Sequence, residues 1–146
     1  MATRGTIAVE NEDGSVSQIY SHWDNYLSCN GKILFEHYQD LDKVRELISI
    51  GDVSSLNDEI GVQHDFDSRD SAFDNMCRFY GRDRGETGVD ARVFESIAAY
   101  EKNHQYEEYE YIFKKVDGKH VWFVSSYGSK YIPLAEALQN EAEEVE

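Results

Sequence analysis

Apolar and polar positions alternate near the start of the chain. Thr6 to Val9 is a short β-prone run, and Val16, Gln18, Tyr20 and His22 alternate with Ser17, Ile19, Ser21 and Trp23. Asn11-Glu12-Asp13-Gly14 lies between them, and its Asp-Gly step suits a tight turn. The pattern predicts a hairpin with strands over 4–10 and 15–23. The period then lengthens. Ile33, Leu34 and Tyr38, with Phe35 beside them, predict a helix over 31–38. Val44, Leu47, Ile48 and Ile50 predict a second helix, capped by Asp40 or Asp42 and stopped by Gly51. Ser54, Ser55 or Asn57 offers a side-chain oxygen to cap a short helical turn after it.

Residues 57–75 show no period. A short strand is expected over 76–80, and Gly81, Gly85 and Gly88 mark a loop behind it. Asp90 is placed to cap a helix carrying Val93, Phe94, Ile97, Ala98 and Tyr100. Residues 106–113 fit two elements. A helix aligns Tyr106, Tyr109 and Phe113; a strand puts Tyr109, Tyr111 and Phe113 on one face and Glu108 and Glu110 on the other. The strand is preferred, because Val116-Asp117-Gly118-Lys119 is a turn and 121–124 (VWFV) a β-rich return. Pro133 precedes a last helix from Leu134 to about Gln139. The acidic end, about 141–146, opposes a helix C-terminal dipole and is expected to fray. The expected architecture is one α+β domain over 1–146, mainly an antiparallel sheet of about four to six strands with two to four helices packed on it.

Composition narrows the function. The 146 residues include ten Tyr and seven Phe, ample bulk for a core and against wholesale disorder. Twenty-nine acids against fourteen Lys and Arg give a net charge of −15. The charge is spread at −4, −6 and −5 over residues 1–50, 51–100 and 101–146. Such a surface repels nucleic acid and anionic lipid and favours a basic partner, or a protein whose own ligand is nucleic acid. No apolar run is long enough for a membrane span or a secretory signal, so a cytoplasmic location is expected. Cys29 and Cys77 form no CxxC and suggest no disulfide framework, though one bridge between them stays open.

Three constellations carry chemistry worth weighing. The acids Asp58, Glu59, Asp65, Asp67, Asp70 and Asp74 crowd one segment around a single base, Arg69. An EF-hand reading from Asp65 fails, with Arg69 at position 5, Asp70 at the glycine position and Met76 at the glutamate position. No zinc-ligand spacing is present, and no catalytic or cofactor motif, so no catalytic residue, metal or cofactor is assigned. With Glu108 and Glu110, about 7 Å apart on one strand face, the acids form a candidate partner-binding surface with a spacing comparable to a phosphate backbone. The third constellation reverses the charge. Five of seven arginines lie between 69 and 92, and Arg78, Tyr80, Arg82 and Arg84 form a candidate anion or nucleotide site. The opposing reading is that Arg82 and Arg84 pair with Asp83, Glu86 or Asp90 and pin the loop.

His22-Trp23-Asp24-Asn25-Tyr26, Gly51-Asp52-Val53-Ser54-Ser55-Leu56 and Phe79-Tyr80-Gly81-Arg82-Asp83-Arg84-Gly85-Glu86 resemble a family of small, mostly uncharacterised accessory proteins of tailed bacteriophages. Thr3 to Val9 and Trp122-Phe123-Val124-Ser125 fit the same pattern. The resemblance covers most of the chain and transfers no catalytic residue. It implies a phage origin and expression in the cytoplasm of an infected bacterium. Accessory proteins of this kind often block host defence or DNA enzymes, some by imitating DNA. The expected function is therefore an acidic, non-enzymatic inhibitor of a host nucleic-acid-binding protein. The alternatives are sequestration of a small nucleotide signal through the arginine-rich loop, and a structural or assembly factor that forms a homo-oligomer.

Overall fold

The computed structural model describes residues 2–104 and 107–145. Eight strands form one sheet: β1 (Gly5–Glu10), β2 (Val16–Ser21), β3 (Val53–Ser55), β4 (Arg78–Phe79), β5 (Arg92–Phe94), β6 (Tyr109–Val116), β7 (Lys119–Ser126) and β8 (Ile132–Pro133). Four α-helices accompany them: α1 (Lys32–His37), α2 (Leu41–Ile50), α3 (Ile97–Asn103) and α4 (Leu134–Val145). The strand order is β4-β3-β2-β1-β6-β7-β8, with β5 also on β2. The chain is an α+β protein whose sheet is mostly antiparallel.

The predicted hairpin forms β1 and β2, paired from Gly5↔Ser21 to Glu10↔Val16. The second hairpin, β6–β7, turns at Asp117 and Gly118, whose φ values of 50° and 84° are those of a tight turn matched to strand twist. The two hairpins join through a parallel pairing of β1 with β6, Gly5↔Tyr109 to Val9↔Phe113. At that junction Gly5 is required, because a Cβ there would sit 2.7 Å from Asn25 Cγ. Residue 106, one member of the helical alternative for 106–113, lies outside the described residues.

β1 is buried on both faces, since helices cover the sheet on both sides. One layer packs Leu34, Tyr38, Val44, Leu47, Ile48, Leu134 and Ala137 onto Ile7, Val9, Ile19, Tyr111, Phe113 and Trp122. The opposite face carries a smaller cluster of Ala8, Val16, Tyr100 and Ile112, with Phe94, Ile97, Phe123 and Tyr131 against it. The large aromatic residues place their polar ends on backbone carbonyls. Trp122 Nε1 donates to Tyr38 O at 2.8 Å, Tyr38 Oη to Asn57 O at 2.7 Å, and Tyr111 Oη to Asn25 O at 2.7 Å. α2 begins at Asp40, whose carboxylate accepts from the Asp42 N–H, and ends at Gly51 with φ 108°.

The structure corrects three local expectations. Residues 53–55 are not a capped helical turn but the buried strand β3, parallel to β2 through Ser21↔Val53. Residues 92–94 are not helical: β5 pairs antiparallel with β2 at Val16–Gln18, and the helix starts later, at Ser96, whose hydroxyl accepts from Ala99 N–H. β2 thus shares one edge between β5 at its start and β3 at its end. α4 runs past the expected stop near Gln139 to Val145. No helix among the described residues is long and apolar enough to cross a membrane.

Candidate functional site

Between β3 and β4 the chain has almost no regular structure. One isolated parallel bridge, Glu59↔Met76, and a 3-10 turn at Ser71–Phe73 are the exceptions. With few strand or helix partners, the backbone is held by short turns and by side chains. The carboxylate of Asp65 accepts from Asp67 N–H at 3.0 Å, and that of Asp70 from Ala72 N–H at 3.0 Å. Two guanidinium groups add further anchors. Arg78 donates to the carbonyls of Phe66 and of Ser68, the latter at 2.9 Å. Arg82 donates to Ile60 O at 3.0 Å, Gly61 O at 3.1 Å and Cys77 O at 3.1 Å, and its Nε to Asp83 Oδ1 at 3.0 Å. The buried Asp83 carboxylate also accepts from His64 N–H at 3.1 Å and Phe79 N–H at 2.9 Å. His64 stacks on Phe73 and donates from Nδ1 to Val62 O at 2.8 Å.

The predicted site residues therefore separate by role. Glu59, Asp65, Asp67, Asp70 and Asp74 are exposed on this pinned segment, while Asp58 is half-buried beside His37 at 3.5 Å. Glu108 is half-buried on the approach to β6, which is three strand spacings from β3, about 14 Å. The two groups of acids do not form one continuous row.

Glu110 departs further from expectation. Its strand face is not solvated, because α3 covers it, and the residue is 1% exposed. Its carboxylate meets His104 Nε2 and lies 3.4 Å from the Tyr131 hydroxyl, which is 3.3 Å from that of Tyr100. His104 Nδ1 faces the Tyr100 carbonyl at 2.6 Å. A carbonyl only accepts, so Nδ1 carries the hydrogen that faces Tyr100 O, and Nε2 is turned to the Glu110 carboxylate. Burial pushes the Glu110 carboxyl above its usual range, against the lowering effect of His104. This cluster lines a cavity of about 410 Å³ with Lys114 and Lys130. No spacing in the sequence announces it, since His104 and Glu110 meet only when α3 folds back onto the sheet.

The arginine-rich loop does not converge on one open anion pocket. Arg82 points inward to carbonyls, stacked on Phe79 at 4.7 Å. Arg84 pairs with Glu86 and lies over the rings of Phe66 and half-buried Tyr80, at 4.6 and 4.9 Å. The loop-pinning alternative describes both residues. Arg78 lines an open cleft of about 460 Å³ that it shares with Arg69 and Trp23. Among the described residues no cluster of three or more His, Cys, Asp or Glu is arranged to hold a metal ion.

No protein-family model, no curated protein and no solved structure matches the chain.

Proposed function

We propose that this is an acidic binding protein whose 58–74 segment docks on the basic surface of a nucleic-acid-handling protein. In the setting implied by the phage resemblance, the partner is a host defence or DNA-processing protein and the effect is inhibition. One observation supports the reading above the others. Five exposed carboxylates, on Glu59, Asp65, Asp67, Asp70 and Asp74, are carried by a segment whose backbone is pinned by Arg78, Arg82 and Asp83. Pinning lowers the ordering cost of docking, and a clustered charge steers a cationic partner and speeds encounter. Arg78 and Arg82 then belong with the acids to one device, in which guanidinium groups hold the backbone and carboxylates face out.

The test uses the tagged protein as bait in bacterial lysate, at low and at high salt. Beside it runs a variant with Asp65→Asn, Asp67→Asn, Asp70→Asn and Asp74→Asn, in which Asn keeps the local backbone bonds. The expected result is capture of DNA- or RNA-binding proteins at low salt, reduced by salt and by the variant. Capture of none, or of the same set by the variant, overturns the reading.

A further inference from the structure

The five arginines between 69 and 92 divide sharply by partner. Arg82 pairs with Asp83, Arg84 with Glu86 and Arg92 with Asp52. Arg69 and Arg78 have no carboxylate partner among the described residues, although the chain holds 29 acids. Both line the same cleft of about 460 Å³, together with Trp23, Ser54, Ser55 and Phe66. The Arg78 guanidinium spends one N–H on each of two carbonyls, and its remaining donors are uncommitted. Two arginines without a direct carboxylate partner thus meet in one cleft with room for a ligand.

The aromatic wall is equally specific. Trp23 is 42% exposed, yet its backbone is held on both sides: its N–H donates to Ser54 O at 3.1 Å, and its carbonyl accepts from Asn30 Nδ2 at 2.9 Å. His22 packs edge-on against the indole at 4.7 Å. Asp24 follows in the left-handed region with φ 60°, turning the chain away and leaving the indole at the rim. A fixed, exposed indole beside two arginines and two serine residues suits a planar ring that bears an anionic group. Asp67 also lines the cleft, and its carboxylate is an acceptor for hydroxyl or amino hydrogens.

From this we infer that the cleft is a binding site for a nucleoside monophosphate. The phosphate engages Arg69 and Arg78, the base lies against Trp23, and Asp67 accepts from the sugar hydroxyls. The cleft volume falls in the range of small-ligand sites. The site shares Phe66, Asp67 and Arg69 with the acidic segment, but it goes beyond the docking reading and does not require it.

Trp23 also supplies the readout. Trp122 is 2% exposed in the core, so a ligand-induced change in indole emission reports Trp23. The full chain is titrated with AMP, GMP, CMP and UMP, with the matching nucleosides, and with inorganic phosphate, and calorimetry confirms each affinity. The expected result is saturable binding of at least one monophosphate, about tenfold or more tighter than its nucleoside and than phosphate alone, since each component supplies only part of the contacts. Arg69→Gln weakens that binding about tenfold with the melting temperature unchanged, and Trp23→Leu weakens it by calorimetry. The Asp65→Asn, Asp70→Asn, Asp74→Asn variant leaves it intact, which separates this site from the docking surface. Absence of saturable binding, an affinity equal to that for phosphate alone, or insensitivity to Arg69→Gln overturns the inference.

Discussion

Arg82 Nε and Asp83 Oδ1, on adjacent residues, meet at 3.0 Å with the Asp83 side chain wholly buried. The same carboxylate holds His64 and Phe79, and the same guanidinium holds three carbonyls. Removing either partner leaves a charge without compensation. Asp83→Asn is expected to cost about 3 kcal/mol of stability, a typical value for breaking a buried pair. Urea unfolding checks the size, and hydrogen exchange over 58–74 shows whether the loss is local. A double-mutant cycle with Arg82→Ala should show strong coupling, because the two side chains share one network.

Glu110 predicts a pH dependence. Its folded-state pKa is raised, chiefly by burial. A raised pKa means that the folded chain holds the proton more tightly than the unfolded one. Its contribution is complete below the ordinary value of 4.5 and is lost as pH rises through the higher folded value. Glu110→Gln should flatten the decline in stability above that ordinary value. Denaturant midpoints across a pH series measure the slope, and an unchanged slope would show that Glu110 does not supply it.

The β6–β7 turn offers a cleaner backbone test. Gly118 has φ 84°, and a Cβ there would meet nothing within 4 Å. The cost of Gly118→Ala is therefore conformational alone, about 1 kcal/mol. Gly61, with φ 72°, differs because a Cβ would lie 2.6 Å from Met76 Sδ. Gly61→Ala should destabilise more than Gly118→Ala in parallel thermal melts.

Trp122 anchors the larger core. Trp122→Phe removes the donor to Tyr38 O, leaving a buried carbonyl unpaired and a small void. The expected loss is about 2 kcal/mol by chemical denaturation. Tyr38→Phe should also be felt, through Asn57 O, which accepts from the Tyr38 hydroxyl at 2.7 Å.

What was legible in the chain was local. Asp40 and Gly51 bound α2 as capping chemistry requires, and the Asp-Gly steps near 13 and 117 mark the two hairpins. What escaped depended on distant partners. Val93 and Phe94 share a helical period with Ile97, yet the free edge of β2 makes them a strand. Residues 53–55 lack a strong β pattern but become β3 beside the end of β2. Alternation identified the two faces of β6 but not that α3 covers the Glu110 side. Arginine clustering marked a neighbourhood but not the partner of each guanidinium group. Only the fold separates Arg82 and Arg84, which have carboxylate partners, from Arg69 and Arg78, which have none among the described residues.

The parallel pairing of Gly5 with Tyr109 spans 104 positions of sequence (109 − 5). On a ribosome, β1 is made early and must wait for β6 before its second edge is filled. The first hairpin therefore emerges with an open edge that only late synthesis can close. Non-local closure of this kind slows folding and prolongs exposure to aggregation. A chain released before β6 should form no native sheet, and full-length chains should gain protease resistance in one late step.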